Sequence, residues 1–269
     1  MINNVCINIM AALVLIACLC SSMSAAVGGG VYVYQNRSIK GRFVRIASTD
    51  GKINVAELGV FDENGDLISK GAKVQAGFEN LNNGVLADYA HTTGGGPGHI
   101  QLDLGAMKTI SEIVLVNRKD CCQEEIVGKK LQIFTSEDDP DSLVGEIEIT
   151  DVRMVYSWTP TKTMFNDQAL PDGVSATNTW IAKGTRPEGP YSVNDLDLVV
   201  EEGDCYNATR AAGHLIYGYR NESHTNPNTC FYYKDDPGWT DLSTEERRED
   251  ALHSIGCTDS SKDIETGCQ

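Results

Sequence analysis

The sequence predicts an all-β fold: a two-sheet sandwich of jelly-roll type followed by a small disulfide-rich α+β module. Three observations carry this. Residues 40–158 break into about eight short apolar or alternating runs separated by turn residues, with no sustained helical period. Glycine is frequent (26 residues) and charged residues are only 22%, a balance suited to turn-rich β structure rather than a helical bundle. Four of the nine cysteines fall in the last 65 residues, where the chain is too short to build a large core of its own.

The strands follow in order. Arg42–Ala47 opens the series. Leu58–Phe61 and Leu67–Ile68 flank Asp62-Glu63-Asn64-Gly65-Asp66, whose Asn-Gly pair predicts a turn between neighbouring strands. His99–Leu104 alternates, placing Ile100, Leu102 and Leu104 on one face. Ile113–Val116 is a continuous apolar run, as expected of a strand covered on both faces. Leu131–Phe134, Val144–Ile149 and Val152–Trp158 complete the sandwich.

Residues 159–190 carry Pro160, Pro171, Pro187 and Pro190 among Thr, Asn and Gly, and read as a linker. Residues 191–269 form the Cys-rich module. In it, Cys205–Ala212 predicts a short helix ended by Gly213, and His214–Tyr219 with Thr229–Tyr233 a hairpin pair. Ser243-Thr244-Glu245-Glu246 is a capping box opening a polar helix toward His253.

Residues 1–26 read as a signal peptide or hydrophobic leader. Met10–Cys20 is apolar but too short to span a bilayer, and Ser24 and Ala26 stand before a plausible cleavage point. The leader carries no positive charge, and Leu15–Cys18 also fits a lipoprotein box. A retained anchor is the third option. Loss of the leader removes Cys6, Cys18 and Cys20 and leaves six cysteines: Cys121, Cys122, Cys205, Cys230, Cys257 and Cys268. The even number fits an oxidised, exported protein with disulfides, and the four tail cysteines allow three pairings. Asn36, Asn207 and Asn221 head N-glycosylation sequons. The expected location is secreted or on a virion surface.

The net charge of −16 and pI near 4.6 argue against nucleic acid or an anionic membrane as partner. No G-x-S-x-G, H-E-x-x-H or metal-ligand cluster occurs, so no enzyme is predicted. Gly94-Gly95-Gly96-Pro97-Gly98 lacks the Lys-Ser/Thr of a phosphate loop and reads as a rim loop.

One constellation stands out. Asn117-Arg118-Lys119-Asp120-Cys121-Cys122-Gln123-Glu124 follows the apolar strand Ile113–Val116, and 26 residues separate His91 from Arg118. A planar guanidinium can bridge vicinal sugar hydroxyls, a neutral imidazole gives one donor and one acceptor, and Asp120 can orient Arg118. Each residue also has an ordinary reading: His91 as a loop histidine, Arg118 as half of a surface ion pair, Cys121 and Cys122 as members of separate bridges.

The spacing resembles that of the F-type lectins, the fucose-binding branch of the discoidin (coagulation factor 5/8 type C) jelly rolls. Their motif runs His, 26 residues, Arg, one residue, Asp, four residues, then Arg or Lys. His91, Arg118, Asp120 and the adjacent cysteines are in register. Ala56–Asp62 and Ile100–Gly105 resemble the wider discoidin family. The resemblance implies a discoidin-like (galactose-binding-like) sandwich over 40–158 with a carbohydrate site at His91, Arg118, Asp120, Cys121 and Cys122. It also implies that Cys121 and Cys122 bridge each other and that the ring packs on a sugar face. Structural Ca²⁺ is implied in the loop before His91, where Asn80, Asn83 and Asp88 would supply oxygens. The pattern departs at Glu125, an anion where the family has a cation; Lys119, Lys129 and Lys130 are the nearby substitutes. The tail loosely resembles an apple or PAN-type module through Cys205, Gly218-Tyr219-Arg220 and Asn228-Thr229-Cys230, and its segments resemble surface proteins of large algal DNA viruses.

The expected function is non-catalytic binding of fucose-like glycans or glycoproteins at a cell or particle surface, with a homo-oligomer supplying multivalency. The alternative is a minor capsid or surface protein of a large virus, contacting other capsid proteins, with a degenerate sugar site.

Overall fold

Alternating and continuous apolar runs become two antiparallel sheets facing each other. The computed structural model describes residues 38–166 and, beyond them, 185–187, 192–196, 202–214, 216–220, 229–233, 239–241 and 253–257. The leader, Asn36, Asn221, Cys268 and the Ser243–Glu246 capping box lie outside the described residues.

The first sheet is built from β1 (Ile39–Ser48), β3 (Lys73–Val74), β5 (Gly98–Ile110), β7 (Lys130–Phe134) and β8 (Leu143–Glu148), in the order β3-β5-β1-β7-β8. The second is built from β2 (Asn54–Phe61), β4 (Ala90–His91), β6 (Glu112–Asn117) and β9 (Val155–Trp158), in the order β4-β2-β6-β9. Every pairing in both is antiparallel. Two-residue β3 and β4 are too short to show a period and were not visible in the sequence. Val152–Arg153 precede the last strand, which starts at Val155.

The inner faces make the core. Ile100 and Leu102 of β5 are fully buried and Leu104 nearly so; they meet Val44 and Ile46 of β1, Leu58 and Val60 of β2, and Ile113 and Leu115 of β6. His99 and Asp103 point the other way, as a two-residue period requires. The Asn-Gly turn forms as expected, with Gly65 N–H donating to the Asp62 carbonyl and Phe61 bridging Leu67.

Strand β6 is buried along almost its whole length because a second layer covers it. Val114 and Val116 face away from the sandwich core and pack with Ala56, Phe61 and Leu86 against Cys205, Ala208 and Ala211. Those last three belong to α1 (Glu202–Ala211), the helix predicted at Cys205–Ala212; Gly213 follows with φ +76°, the left-handed conformation that ends helices. Arg210 fastens α1 to β6: its Nη1 lies 3.0 Å from Glu112 Oε2 and its guanidinium covers the Phe61 ring at 4.0 Å. Apolar packing therefore runs without a break from the sandwich into the Cys-rich segment.

Beyond α1, β12 (Ile216–Arg220) pairs with β13 (Thr229–Tyr233), the predicted hairpin, and with β15 (His253–Cys257); β11 (Ser192–Leu196) flanks β13. Two further short strands, β10 (Thr185–Pro187) and β14 (Trp239–Asp241), pair with each other. Cys205 and Cys230 form a disulfide, so α1 is stapled to β13. Of the three pairings left open by the sequence, only one contains this bridge.

Two positions expose the cost of this covering layer. Gly59 lies where α1 crosses β2: a Cβ there would stand 2.7 Å from Ala211 Cα and 2.8 Å from its Cβ. Gly59→Val should lower stability by about 1–3 kcal/mol through overpacking, read as a reduced urea midpoint, and Ala211→Gly should return part of the loss. Glu57, 1% exposed on β2, accepts a 3.0 Å hydrogen bond from Gly84 N–H. Burial pushes its carboxyl well above the ordinary value of 4.5. The folded state therefore holds this proton more tightly than the unfolded chain. Its contribution should be complete below pH 4.5 and decline as pH rises through the folded value. Glu57→Gln should remove that decline and raise stability at neutral pH, measured by urea unfolding at acidic and mildly alkaline pH.

Candidate functional site

The site forms at one end of the second sheet, where β2, β4 and β6 all stop. A register shift in β2 between Val55 and Glu57 sets its end: Asn54 pairs with His91 and Val55 with both Ala90 and Asn117. Asn117, the last residue of β6, is fully buried and fully used. Its amide nitrogen donates to the carbonyls of Gln123 (3.1 Å) and Arg153 (3.0 Å), and its Oδ1 accepts from Arg118 N–H (2.8 Å). A buried amide with all valences engaged pins the following loop to the sheet end.

Arg118 leaves that anchor with its guanidinium held on three sides. Nε and Nη2 grip the Asp120 carboxylate at 2.5 and 2.8 Å, Nη1 reaches Asn54 Oδ1 at 3.4 Å, and the guanidinium carbon sits 3.5 Å over the Tyr89 ring. Hydrogen bonding to Arg118 draws the Asp120 carboxyl down to about 2, and Asp120 in turn raises the arginine further. Both stay charged at any physiological pH. Tyr89 links the arginine to His91: the two rings are 5.6 Å apart and tilted by 59°, and His91 is exposed on edge strand β4. The structure thus brings His91, Arg118 and Asp120 to one surface, through Tyr89.

Glu125 does not stand free. Its Oε2 accepts from Asn54 Nδ2 at 2.5 Å and its Oε1 lies 3.4 Å from Lys52 Nζ. Lys52 is thus the cation beside the departing position. Lys129 is committed to Asp50 at 2.9 Å and Lys130 to Glu146 at 2.7 Å. Sequence reading missed Tyr89, Asn54 and Lys52. The alternation of Tyr89 and His91 was the only available signal for the first; the other two come from a strand end and loop with no motif.

Three expectations need correction. Cys121 and Cys122 are free thiols rather than a bridge. Cys122 takes φ +63° and its carbonyl accepts from Glu125 N–H at 3.0 Å, opening the short 3-10 turn Gln123–Ile126. A hydrogen bond with Cys121, then burial, pushes the Cys122 thiol up to about 11. The calcium loop does not offer a cation shell. Asn80 Nδ2 donates to the Tyr89 carbonyl, and Asn83 turns its Nδ2 to Asp88 while its Oδ1 accepts from Val85 N–H. The amide oxygens of such a site should converge; here Asn83 turns a donor to Asp88, the one carboxylate of the three, and Asn80 turns its donor to a carbonyl. Among the described residues no cluster of three His, Cys, Asp or Glu could hold a metal. Asn207, finally, lies inside α1 and is 5% exposed, with Thr209 of its sequon fully buried.

Residues 80–177 match the family model described as a NedA-like, galactose-binding domain of the coagulation factor 5/8 type C group. No curated protein and no solved structure matches the chain. The matched segment includes Tyr89, His91, Arg118, Asp120, both cysteines and Glu125, while Lys52, Asn54 and the tail from 178 onward lie outside it. Over that segment the sandwich is thus similar to the discoidin-type, galactose-binding-like domains. Such domains are binding modules, and the class points to carbohydrate binding in general.

Burial of Asn207 gives a direct expectation. Expressed in a eukaryotic secretory host, the folded protein should carry no glycan at Asn207, as glycopeptide mapping would show. An occupied Asn207 would require α1 to leave β6.

Proposed function

We propose that the protein is a non-catalytic lectin-type module that recognises fucose-like glycans at a cell or particle surface. The observation that carries this is Arg118, fixed between Asp120 and Tyr89 beside His91 at the open end of a sheet. A guanidinium fixed by a carboxylate and a ring offers its remaining N–H groups without further ordering, which favours a pair of adjacent hydroxyls. His91 adds a donor and an acceptor, and Lys52 with Glu125 makes a neutral pair joined to Arg118 through Asn54. The arrangement has little net charge and alternates donors with acceptors, properties suited to a neutral polyol. The family's second cation, replaced at Glu125, is here supplied from a different loop by Lys52.

Secretion is part of the proposal. The Cys205–Cys230 disulfide is supported by an oxidising compartment, and the acidic net charge favours solubility outside cells over nucleic-acid partners. Glycans or glycoproteins are the proposed partners.

The test is a glycan array followed by titration with free L-fucose and D-galactose. His91→Ala and Arg118→Ala should each weaken sugar binding by about tenfold or more. Asp120→Asn should weaken it while shifting stability by less than about 1 kcal/mol, because Asp120 is half exposed. Sugar-independent behaviour of the wild type on the array would remove the lectin reading and leave the sandwich as a structural surface protein.

A further inference from the structure

A second concave surface lies on the outer face of the first sheet, on the other sheet from the His91–Arg118 pocket. Its floor is the outward row of β5. Because Ile100, Leu102 and Leu104 face the core, His99, Gln101 and Asp103 fall in line on the outside, about 7 Å apart. One wall is β3, where Lys73 pairs with Asp103 and Gln75 N–H donates to the Gln101 carbonyl at 2.9 Å. The other wall is Glu137, whose Oε1 accepts from Gln101 Nε2 at 3.2 Å. The cleft between them has a volume of about 320 Å³, the lower end of small-molecule sites.

The floor groups are set rigidly from below. Arg42 clamps Asp103 with two hydrogen bonds of 2.7 and 2.9 Å, and Gly105 N–H adds a third at 2.8 Å. Arg45 donates to Gln101 Oε1, which fixes the amide so that its NH₂ faces Glu137. Each guanidinium rests on a ring: Arg42 on Phe43 at 4.8 Å, Arg45 on Phe134 at 4.3 Å. The solvated face of an antiparallel sheet needs no such support, since isolated surface pairs contribute little to stability. A polar group held by a guanidinium that itself rests on a ring is the construction of a pre-organised site.

The chemistry selects the ligand class. Along the cleft stand an ammonium (Lys73), a carboxylate already carrying an arginine (Asp103), an amide (Gln101), a second carboxylate (Glu137) and an imidazole (His99). Partial burial, and secondarily Arg45, lowers the pKa of His99, so its ring is neutral and offers one donor and one acceptor. An anion would meet Asp103 and Glu137; a cation would meet Lys73, and Asp103 already carries an arginine. A neutral ligand bearing many hydroxyls meets alternating donors and acceptors throughout.

We propose that this cleft is a second saccharide-binding site, so that one chain presents two glycan sites on two different sheets. The proposal stands on its own residues and does not require the pocket at Arg118 to be active. Two sites on one chain would raise avidity for a branched or clustered glycan without an oligomer.

The test is a residue-resolved NMR titration of the full-length, isotope-labelled protein with D-galactose, L-fucose and a galactose-containing oligosaccharide, using wild type, His99→Ala/Glu137→Ala and Arg118→Ala. The proposal expects saturable amide shifts at Lys73–Ala76 and His99–Asp103, lost in His99→Ala/Glu137→Ala and kept in Arg118→Ala. Both substituted residues are exposed, and an unchanged spectrum elsewhere shows that the double variant folds. Absence of saturable shifts at the cleft with all three sugars overturns the proposal. So does their loss in Arg118→Ala, which would make them a remote effect of the first pocket. Shifts confined to the cleft would overturn the Arg118 reading and leave this one standing.

Discussion

Two-sided burial of β6 is the constraint on which the rest of the molecule depends. Ile113 and Leu115 enter the sandwich core, and Val114 and Val116 enter a second apolar layer roofed by α1. A strand with no solvated face has one tolerable register, because a one-residue slip only exchanges which pair meets which layer and leaves Glu112 and Asn117 misplaced. Glu112 must stay at the entry, where Ser157 and Arg210 hold its carboxylate. Asn117 must stay at the exit, where its amide satisfies three backbone groups. The strand therefore delivers Arg118 to a fixed point.

The same layer explains why the Cys-rich segment is not a free appendage of the sandwich. Cys205, Ala208 and Ala211 of α1 fill the outer face of the second sheet, and Gly59 leaves room for the helix backbone. The disulfide to Cys230 then fixes β13 to the helix, and β12 and β15 build outward from β13. The helix is thus an adaptor: one side completes the core of the sandwich, and the other begins the small sheet. Composition changes near residue 191, but apolar burial does not, and it is burial that sets cooperativity.

Much of this was legible because periodicity is a local property. Alternation in His99–Leu104 and the unbroken run Ile113–Val116 each announced which faces would be covered, and Gly213 marked the end of the helix. The histidine, arginine and aspartate of the candidate site stood out for a different reason, through a spacing that resembles that of the F-type lectins. What stayed hidden was non-local. Tyr89 lies under Arg118 only because β4 pairs with β2, and a two-residue strand leaves no pattern. Lys52 and Asn54 reach Glu125 across more than 70 positions of sequence. For the same reason the cation beside Glu125 was sought at Lys119, Lys129 and Lys130 rather than at Lys52. Asn207 read as exposed because a sequon carries no information about the sheet against which its helix packs.

A single device recurs, and its setting decides what it does. Among the described residues four arginines sit over aromatic rings while their N–H groups hold a carboxylate or amide: Arg210 on Phe61 with Glu112, Arg118 on Tyr89 with Asp120, Arg42 on Phe43 with Asp103, and Arg45 on Phe134 with Gln101. The ring restrains the guanidinium plane, and the acid selects its rotation, so the remaining donors have fixed directions before any partner arrives. At Arg210 the assembly lies between helix and sheet, with the arginine side chain 11% and the Glu112 side chain 21% exposed, so it serves as a staple. At Arg118 the arginine is as well shielded, at 14%, but its carboxylate is 53% exposed, and a histidine stands open beside it. Shielding the cation while leaving its partner at the surface costs desolvation that a staple would recover through closer packing. A sheet end that keeps such a pair open leaves its carboxylate and the neighbouring histidine in contact with water, and a hydroxylated ligand can take the place of that water at little cost in ordering.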